Sequence, residues 1–228
     1  MYYFKKQKEI TIKQKNDHAL FICALLFISI LINGCAKTMP LTKESKDLSL
    51  NNESIGILHL KISNNLAKSY QPRVDSINII KTNSGDNIKF KAEKPFKQVK
   101  DEYNEYLFSF KLSPGKYKIE EVKGEAGIFP FIGHFQFPIN AEFNLENNVI
   151  AYLGYIEMIN RKRKGGEMWS GNLIPLLDQA VTGFSGGTFD ITVSDNYLED
   201  IKLFKEHYPL INNYEIKHNL AAKPIPDK

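Results

Sequence analysis

Residues 134–145, HFQFPINAEFNL, decide the fold because apolar and polar side chains alternate along almost their whole length. A period of two places one set on a buried face and the other in water, which is the pattern of a half-buried β-strand. The apolar set is Phe135, Phe137, Ile139, Ala141, Phe143 and Leu145. Pro138 lies in the polar set and removes one backbone donor, so we expect an edge strand or a bulge at that point.

Similar alternation in shorter stretches predicts further strands, at residues 58–62, 77–79, 106–112, 117–119 and 189–193. Residues 149–156, VIAYLGYI, are apolar on both faces, which predicts a central strand covered on both sides. Because turn signals separate these strands and no helix alternates with them, the chain is predicted to be mainly β. We expect an antiparallel two-sheet sandwich of about seven strands within residues 54–212.

One helix is predicted, over residues 196–208, and should pack on the sandwich. Tyr197, Ile201, Phe204 and Tyr208 recur at spacings of four, three and four, and so form one apolar stripe. Asn196 and Glu199 have the spacing of a capping box, and Pro209 ends the helix. Residues 213–228 are expected to form a C-terminal tail.

The first 34 residues have the order of a secretory signal. Residues 1–18 carry five lysines against two acids, and residues 19–32 are apolar except for Ser29. As a helix, 14 residues rise about 21 Å, whereas a bilayer core takes roughly 20 residues to span. The apolar run is therefore short for a permanent span, although an uncleaved signal anchor stays the alternative.

The sequence Ile32-Asn33-Gly34-Cys35 follows this apolar run and resembles the lipobox of bacterial lipoprotein precursors. The resemblance implies cleavage after Gly34, a diacylglyceryl group on the sulfur of Cys35, and an anchor in membrane lipid. By the same likeness to enterobacterial lipoproteins, Ala36 after the cysteine implies sorting to the outer membrane. The expected location is therefore the cell envelope, facing the periplasm.

Composition after such a cleavage excludes some classes of protein. Removing five basic and two acidic residues leaves a net charge near +1, which does not favour a nucleic-acid partner. Cys23 would be discarded and Cys35 lipidated, so no disulfide is expected. Residues 36–53 are polar and predict a flexible tether that holds the domain about 23 Å from its anchor.

The turn between residues 112 and 117, Leu-Ser-Pro-Gly-Lys-Tyr, has a defined corner chemistry. Pro114 presets one φ angle, Gly115 accepts a positive φ, and Leu112 and Tyr117 re-enter the core on either side. This corner resembles the L-x-P-G-x-Y turn of transthyretin-like (carboxypeptidase regulatory-like) sandwich domains. That resemblance implies a non-catalytic domain.

A catalytic alternative comes from residues 183–187, GFSGG, which match the G-x-S-x-G nucleophile elbow of α/β hydrolases. Ser185 would be the nucleophile, with His207 downstream in the permitted order. The elbow needs a helix directly after the serine, whereas residues 188–194 predict a strand. We therefore expect a glycine-rich connection and no enzyme.

The five histidines lack the short mutual spacings of metal-binding motifs. His59 and His134 fall in alternating strands, and we expect both to be exposed there. The sequence accordingly predicts neither a metal site nor a cofactor.

Two features predict a contact surface for a partner. One is an apolar loop and the other a basic cluster, and their residues are Ile128, Phe129, Phe131, Ile132, Arg161, Lys162, Arg163 and Lys164. The loop could equally tuck under the sandwich, and the basic cluster could be a solvated hairpin tip. Trp169, the only tryptophan, could anchor a core or an interface.

These observations predict a membrane-anchored envelope lipoprotein that is a non-enzymatic binding or scaffolding module. Its expected partners are membrane lipid through Cys35 and an envelope protein or anionic envelope component. Two alternatives stay open: a lipid-anchored serine hydrolase that uses Ser185, and a sandwich that binds a small ligand.

Overall fold

The computed structural model describes residues 36–45, 47–128, 131–171 and 187–222, with the backbone alone at residues 128 and 131. The chain divides into two units, Met1–Cys35 and Ala36–Lys228, and all the described residues belong to the second. The predictions for the signal, Cys35, Phe129 and Ser185 lie outside the described residues.

The described part of the chain is mainly β, with one α-helix near its C-terminal end, as predicted. Its strands are β1 (Ser54–Asn64), β2 (Arg73–Lys81), β3 (Asn87–Lys91), β4 (Lys97–Val99), β5 (Tyr103–Leu112), β6 (Gly115–Ile128), β7 (Phe131–Leu145), β8 (Ile150–Lys162), β9 (Gly187–Ser194) and β10 (Ile216–His218). The helix is α1 (Tyr197–His207), followed by a 3-10 turn at Pro209–Ile211.

These strands form two sheets. The four-stranded sheet has the order β3-β2-β6-β7, and all its pairings are antiparallel. The six-stranded sheet has the order β10-β8-β1-β5-β4, with β9 also paired to β8. The predicted two-sheet sandwich with a C-terminal helix is therefore confirmed.

Two pairings in the six-stranded sheet are parallel, between β1 and β8 and between β10 and β8. The expectation of a wholly antiparallel arrangement missed them, because parallel partners lie far apart in the chain and leave no turn signal. The prediction for residues 149–156 is confirmed. Ala151 and Leu153 face the core between the sheets, whereas Ile150 and Tyr152 face a second core under the helix.

The alternation in residues 134–145 is confirmed, since its apolar side chains are all buried in the core between the sheets. β7 is an edge strand of its sheet. Its register with β6 shifts where Ala141 pairs with Ile119 but Pro138 pairs with Glu121. Asn140 takes a φ of 55° within this shift. Pro138 thus lies both at an edge and at a bulge, as its lost donor predicted.

The corner at residues 112–117 connects β5 of one sheet to β6 of the other, and Gly115 has a φ of 146°. Leu112 and Tyr117 are both buried in the core between the sheets. The Tyr117 hydroxyl donates to the Ser113 carbonyl oxygen at 2.7 Å. The predicted corner chemistry therefore links the two sheets.

Helix α1 packs its apolar stripe against the outer face of the six-stranded sheet. Phe204 and Tyr208 are buried, and Tyr197 and Ile201 are half-buried against the same cluster. The predicted capping box is wrong, since Asn196 makes no side-chain cap. Instead, Asp195 Oδ1 accepts a hydrogen bond from the Tyr197 N–H at 3.1 Å.

Both terminal segments differ from their predictions. Within the expected tether, Met39, Leu41 and Leu48 are buried, and Lys37 forms a parallel bridge with Phe90. Within the expected tail, β10 extends the six-stranded sheet and Ala221 is buried. The prediction of a flexible tether from residue 36 and a tail from residue 213 is wrong, because widely spaced apolar residues in polar stretches reach the cores.

Candidate binding groove on the four-stranded sheet

An open groove of about 810 Å³ lies on the outer face of the four-stranded sheet. The alternation that buries Ile77, Val122 and Phe137 turns the intervening polar side chains outward, into this groove. Its floor comes from all four strands of the sheet and its wall from the segment that follows β8. The lining polar side chains are Asp75, Ser76, Lys89, Glu121, Lys123, His134 and Gln136, and the wall consists of Met168, Trp169 and Gly171.

Glu121 is the fixed centre of the groove floor. Asn78 Nδ2 on β2 donates to its Oε1 at 2.6 Å, and Gln136 Nε2 on β7 donates to its Oε2. Lys123 Nζ lies 2.8 Å from Oε1. Three strands therefore hold one carboxylate in place, with amide and ammonium groups around it.

Ser76 on the floor and Asn78, which contacts Glu121, carry buried polar atoms that lack partners within the described ranges. Ser76 is 1% exposed and Asn78 is 6% exposed, yet Ser76 Oγ and Asn78 Oδ1 accept and donate no hydrogen bond there. Leaving such a group unpaired costs about 1–3 kcal/mol. A ligand that reached these atoms would recover that free energy.

Trp169 forms the aromatic wall and is held by contacts with its neighbours. The Arg163 guanidinium carbon lies 4.0 Å from a ring centroid of Trp169, a cation–π contact, and Arg163 Nη1 donates to the Glu167 carbonyl oxygen at 2.6 Å. A backbone bridge joins Gly171 to Phe135 on β7. The indole is 39% exposed, so it presents surface to the groove from a fixed position.

Contacts of Glu167 and Arg161 connect this wall to strands β8 and β9 of the six-stranded sheet. Arg161 donates to both carboxylate oxygens of Glu167, at 2.8 and 2.9 Å, and to Asp190 Oδ2 on β9 at 2.7 Å. These hydrogen bonds raise the pKa of Arg161, and the bond from Arg161 is the main cause that lowers the pKa of Glu167 to about 2. Both side chains are therefore charged at neutral pH.

At one end of the groove, Asp75, Glu125 and His134 bring two carboxylates and an imidazole together, with one ligand atom from each within 4.8 Å of the others. Arg73 Nη2 donates to Glu125 Oε1 at 2.5 Å. Partial burial, and then the charge of Glu125, raise the pKa of Asp75. His134 is exposed, as predicted. The spacing of the histidines along the chain could not indicate this cluster, because its members come from three separate strands.

A second polar cluster lies beneath helix α1, where His59 is buried and not exposed as predicted. Asp200 Oδ1 lies 2.7 Å from His59 Nδ1, and the Tyr152 hydroxyl donates to Asp200 Oδ2 at 2.6 Å. Burial, and then the bond to Asp200, raise the pKa of Tyr152. The prediction failed because the helix that covers this face of β1 comes 141 residues later in the chain.

Among the described residues, the predicted partner surface supplies no lining residue of the groove, although two of its arginines contact the wall segment. Ile128 and Phe131 pair through their backbones at the end of the β6–β7 hairpin, and Ile132 is half-buried two residues before His134. Arg161 and Arg163 are engaged in the wall, whereas Lys162 and Lys164 are exposed. The strand predicted after the Ser185 motif is confirmed as β9.

Comparisons with protein-family models, with curated proteins and with solved structures find no match for this chain. Within the described ranges, no helix combines the length and the apolar character needed to cross a bilayer. What the groove binds is therefore inferred from its own side chains.

Proposed function

We propose that this chain is a lipid-anchored envelope protein whose β domain is a non-enzymatic binding module, with a hydroxyl-rich ligand such as an envelope glycan in the groove. The observation that supports this most directly is Glu121. Its carboxylate is oriented by Asn78, Lys123 and Gln136 on the groove floor beside the exposed ring of Trp169.

The side-chain types of the groove suit a sugar. Carboxylate and amide groups can accept and donate paired hydrogen bonds with neighbouring hydroxyls, and lysine adds further donors. An indole ring offers a flat apolar surface that stacks on the C–H face of a pyranose ring. Ser76 also lines the groove, and its unpaired hydroxyl could gain a partner from the same sugar hydroxyls.

The chemistry of the groove favours binding over catalysis. A nucleophilic serine needs a base within hydrogen-bond reach. Ser76 is the serine among the described lining residues, and its Oγ has no hydrogen-bond partner in that part of the chain. Ser185 lies outside the described residues, and the strand directly after its motif departs from the strand-turn-helix order of the elbow.

Direct binding measurements test the groove. The full chain, purified in mild detergent, should bind soluble fragments of envelope glycans, such as peptidoglycan disaccharides or lipopolysaccharide core sugars, on an array and by calorimetry. Trp169→Ala and Gln136→Ala should each weaken that binding by about tenfold, the effect of losing 1.4 kcal/mol. Leu198→Ala, at a 78% exposed position on helix α1, is the control and should leave it unchanged. Absence of glycan binding, or equal affinity in Trp169→Ala, would reject the proposal.

The anchor is tested separately through Cys35. In cells fed a clickable palmitate analogue, Cys35→Ala should lose the label and accumulate as unprocessed precursor, because the lipid is attached to the sulfur. Undiminished labelling of that variant would exclude the lipidation site without bearing on the groove.

A further inference from the structure

We propose that Asp75, Glu125 and His134 form a binding site for a divalent transition cation of the Zn²⁺ type at one end of the groove. The three side chains offer two carboxylate oxygens and one imidazole nitrogen, with the ligand atoms within 4.8 Å of one another. They come from three neighbouring strands of one sheet.

The strand register explains why these residues meet. Glu125 on β6 stands directly opposite His134 on β7 and directly opposite Arg73 on β2. Asp75 is the extra residue of a bulge, because Val74 pairs with Gly124 while Ser76 pairs with the next residue, Lys123. A bulge redirects a side chain that would otherwise follow the regular alternation, and bulges are over-represented beside functional sites.

The bulge is also held in position. The Asp75 carbonyl oxygen accepts a hydrogen bond from the Ala92 N–H at 2.8 Å, just beyond β3. The backbone that carries the Asp75 carboxylate is therefore tied to the sheet, while the exposed carboxylate itself can change rotamer.

Asp75 and Glu125 supply two negative charges to the cluster, and Arg73 supplies one positive charge. Arg73 contacts Glu125 through Oε1, and the ligand atoms of Asp75 and Glu125 lie within 4.8 Å of each other. Two carboxylates that repel one another are a common environment of metal sites, because the ion removes the repulsion. A structural ion cluster of Arg73, Glu125 and Asp75 is the competing explanation, and it predicts no metal affinity.

The donor set selects the kind of cation. Ca²⁺ and Mg²⁺ prefer oxygen ligands alone, whereas Zn²⁺ accepts imidazole nitrogen together with carboxylate oxygen at about 2.0–2.2 Å. Ligand atoms around a tetrahedral zinc ion are then roughly 3.4 Å apart. The exposed side chains of Asp75 and His134 would therefore need to close in by up to about 1.4 Å from the present separation of at most 4.8 Å. Three protein ligands would leave one coordination position open. Asp75 and His134 also line the groove.

Titration with the metal alone tests the site, so the result is independent of any glycan. The full chain in mild detergent, freed of metal with a chelator and then dialysed, is titrated calorimetrically with ZnCl₂. We expect one saturable site, and affinity lower by about tenfold or more in Asp75→Asn and in His134→Ala. CaCl₂ should give no saturable binding in the same range.

His218→Ala is the matched control, because His218 is also exposed and also lies beside a carboxylate, that of Asp195, at 3.0 Å. It should retain the wild-type affinity for Zn²⁺. Circular dichroism checks that each variant is folded, which is expected because Asp75 and His134 are exposed. No saturable binding in the wild type, unchanged affinity in His134→Ala, or equal loss in His218→Ala would overturn the proposal.

Discussion

Among single residues, Glu167 makes the stability of the groove wall depend on pH. Its carboxylate accepts hydrogen bonds from Arg161 and from the Lys164 N–H, and its carbonyl oxygen accepts one from Arg163, which stacks on Trp169. Because the pKa of Glu167 is lowered from 4.5 to about 2, its contribution to the folded state is complete above pH 4.5. That contribution is lost as the pH falls toward 2.

We therefore predict that the wall loosens at a lower pH in the wild type than in Arg161→Ala. Trp169 is the only tryptophan of the chain, so its fluorescence reports on the wall directly. The midpoint of the emission change should lie near pH 2 in the wild type and move toward pH 4.5 in the variant, since Arg161 is the main cause of the shift. Arg73→Ala serves as control and should leave the midpoint in place. Coincident midpoints for wild type and Arg161→Ala would contradict this.

The residues of the groove show how far sequence reasoning reaches. His134 and Gln136 could be assigned to an exposed face from the alternation in residues 134–145. Their meeting with Asp75 and Glu121 could not be predicted, because it requires the register of three strands and a bulge in one of them. The Asp200 pair with His59 likewise depends on a contact across 141 residues.

At the scale of elements, helix α1 was predicted well because its stripe is a local pattern. Its bounds, Tyr197–His207, differ by one residue at each end from the predicted span. The cap was missed because Asp195 precedes the residue that the motif indicates. Seven strands, β1, β2 and β5 to β9, were predicted for the same reason, whereas the short strands β3, β4 and β10 were not. The pairing partners were not predicted either, since β1 and β8 pair in parallel with β2 to β7 between them in the chain.

The helix also makes a prediction about stability. Phe204→Ala should lower the free energy of unfolding by about 3–5 kcal/mol, because its fully buried ring would leave a cavity under the helix. Denaturant unfolding of the chain followed by circular dichroism measures the change in midpoint. Leu198→Ala on the same helix, 78% exposed, should move the midpoint little. If both variants unfolded at one denaturant concentration, the helix would not be docked through this stripe.

At the scale of the whole molecule, the domain has three layers: the four-stranded sheet, the six-stranded sheet, and a layer made by helix α1 and the segment that precedes β1. Leu41 and Leu48 from that segment pack with Ile57 and Phe204 in the second core. The Leu41 N–H also donates to Ser109 Oγ on β5 at 3.1 Å. The segment expected to be a tether is thus part of the fold.

We predict that Leu41→Ala destabilises the domain by about 2–5 kcal/mol, since Leu41 is 1% exposed. The unfolding midpoint in denaturant provides the measurement, and Lys43→Ala, at an exposed position two residues away, provides the control. A flexible tether would give the same midpoint for both variants and for the wild type.

The bridge between Lys37 and Phe90 limits how far the domain could lie from a lipid anchor at Cys35. The Lys37 N–H donates to the Lys89 carbonyl oxygen at 2.7 Å, only two residues after Cys35. If Cys35 carries lipid, as proposed, about 7 Å of extended chain separates the lipidated residue from Lys37. The domain would then have little freedom to move away from the membrane surface. Lys37, Lys89 and Lys91 lie together where the chain leaves the domain, and each contributes about 1 kcal/mol beside anionic headgroups. Because Lys89 also lines the groove, an anchor at Cys35 would keep this part of the groove near the membrane surface.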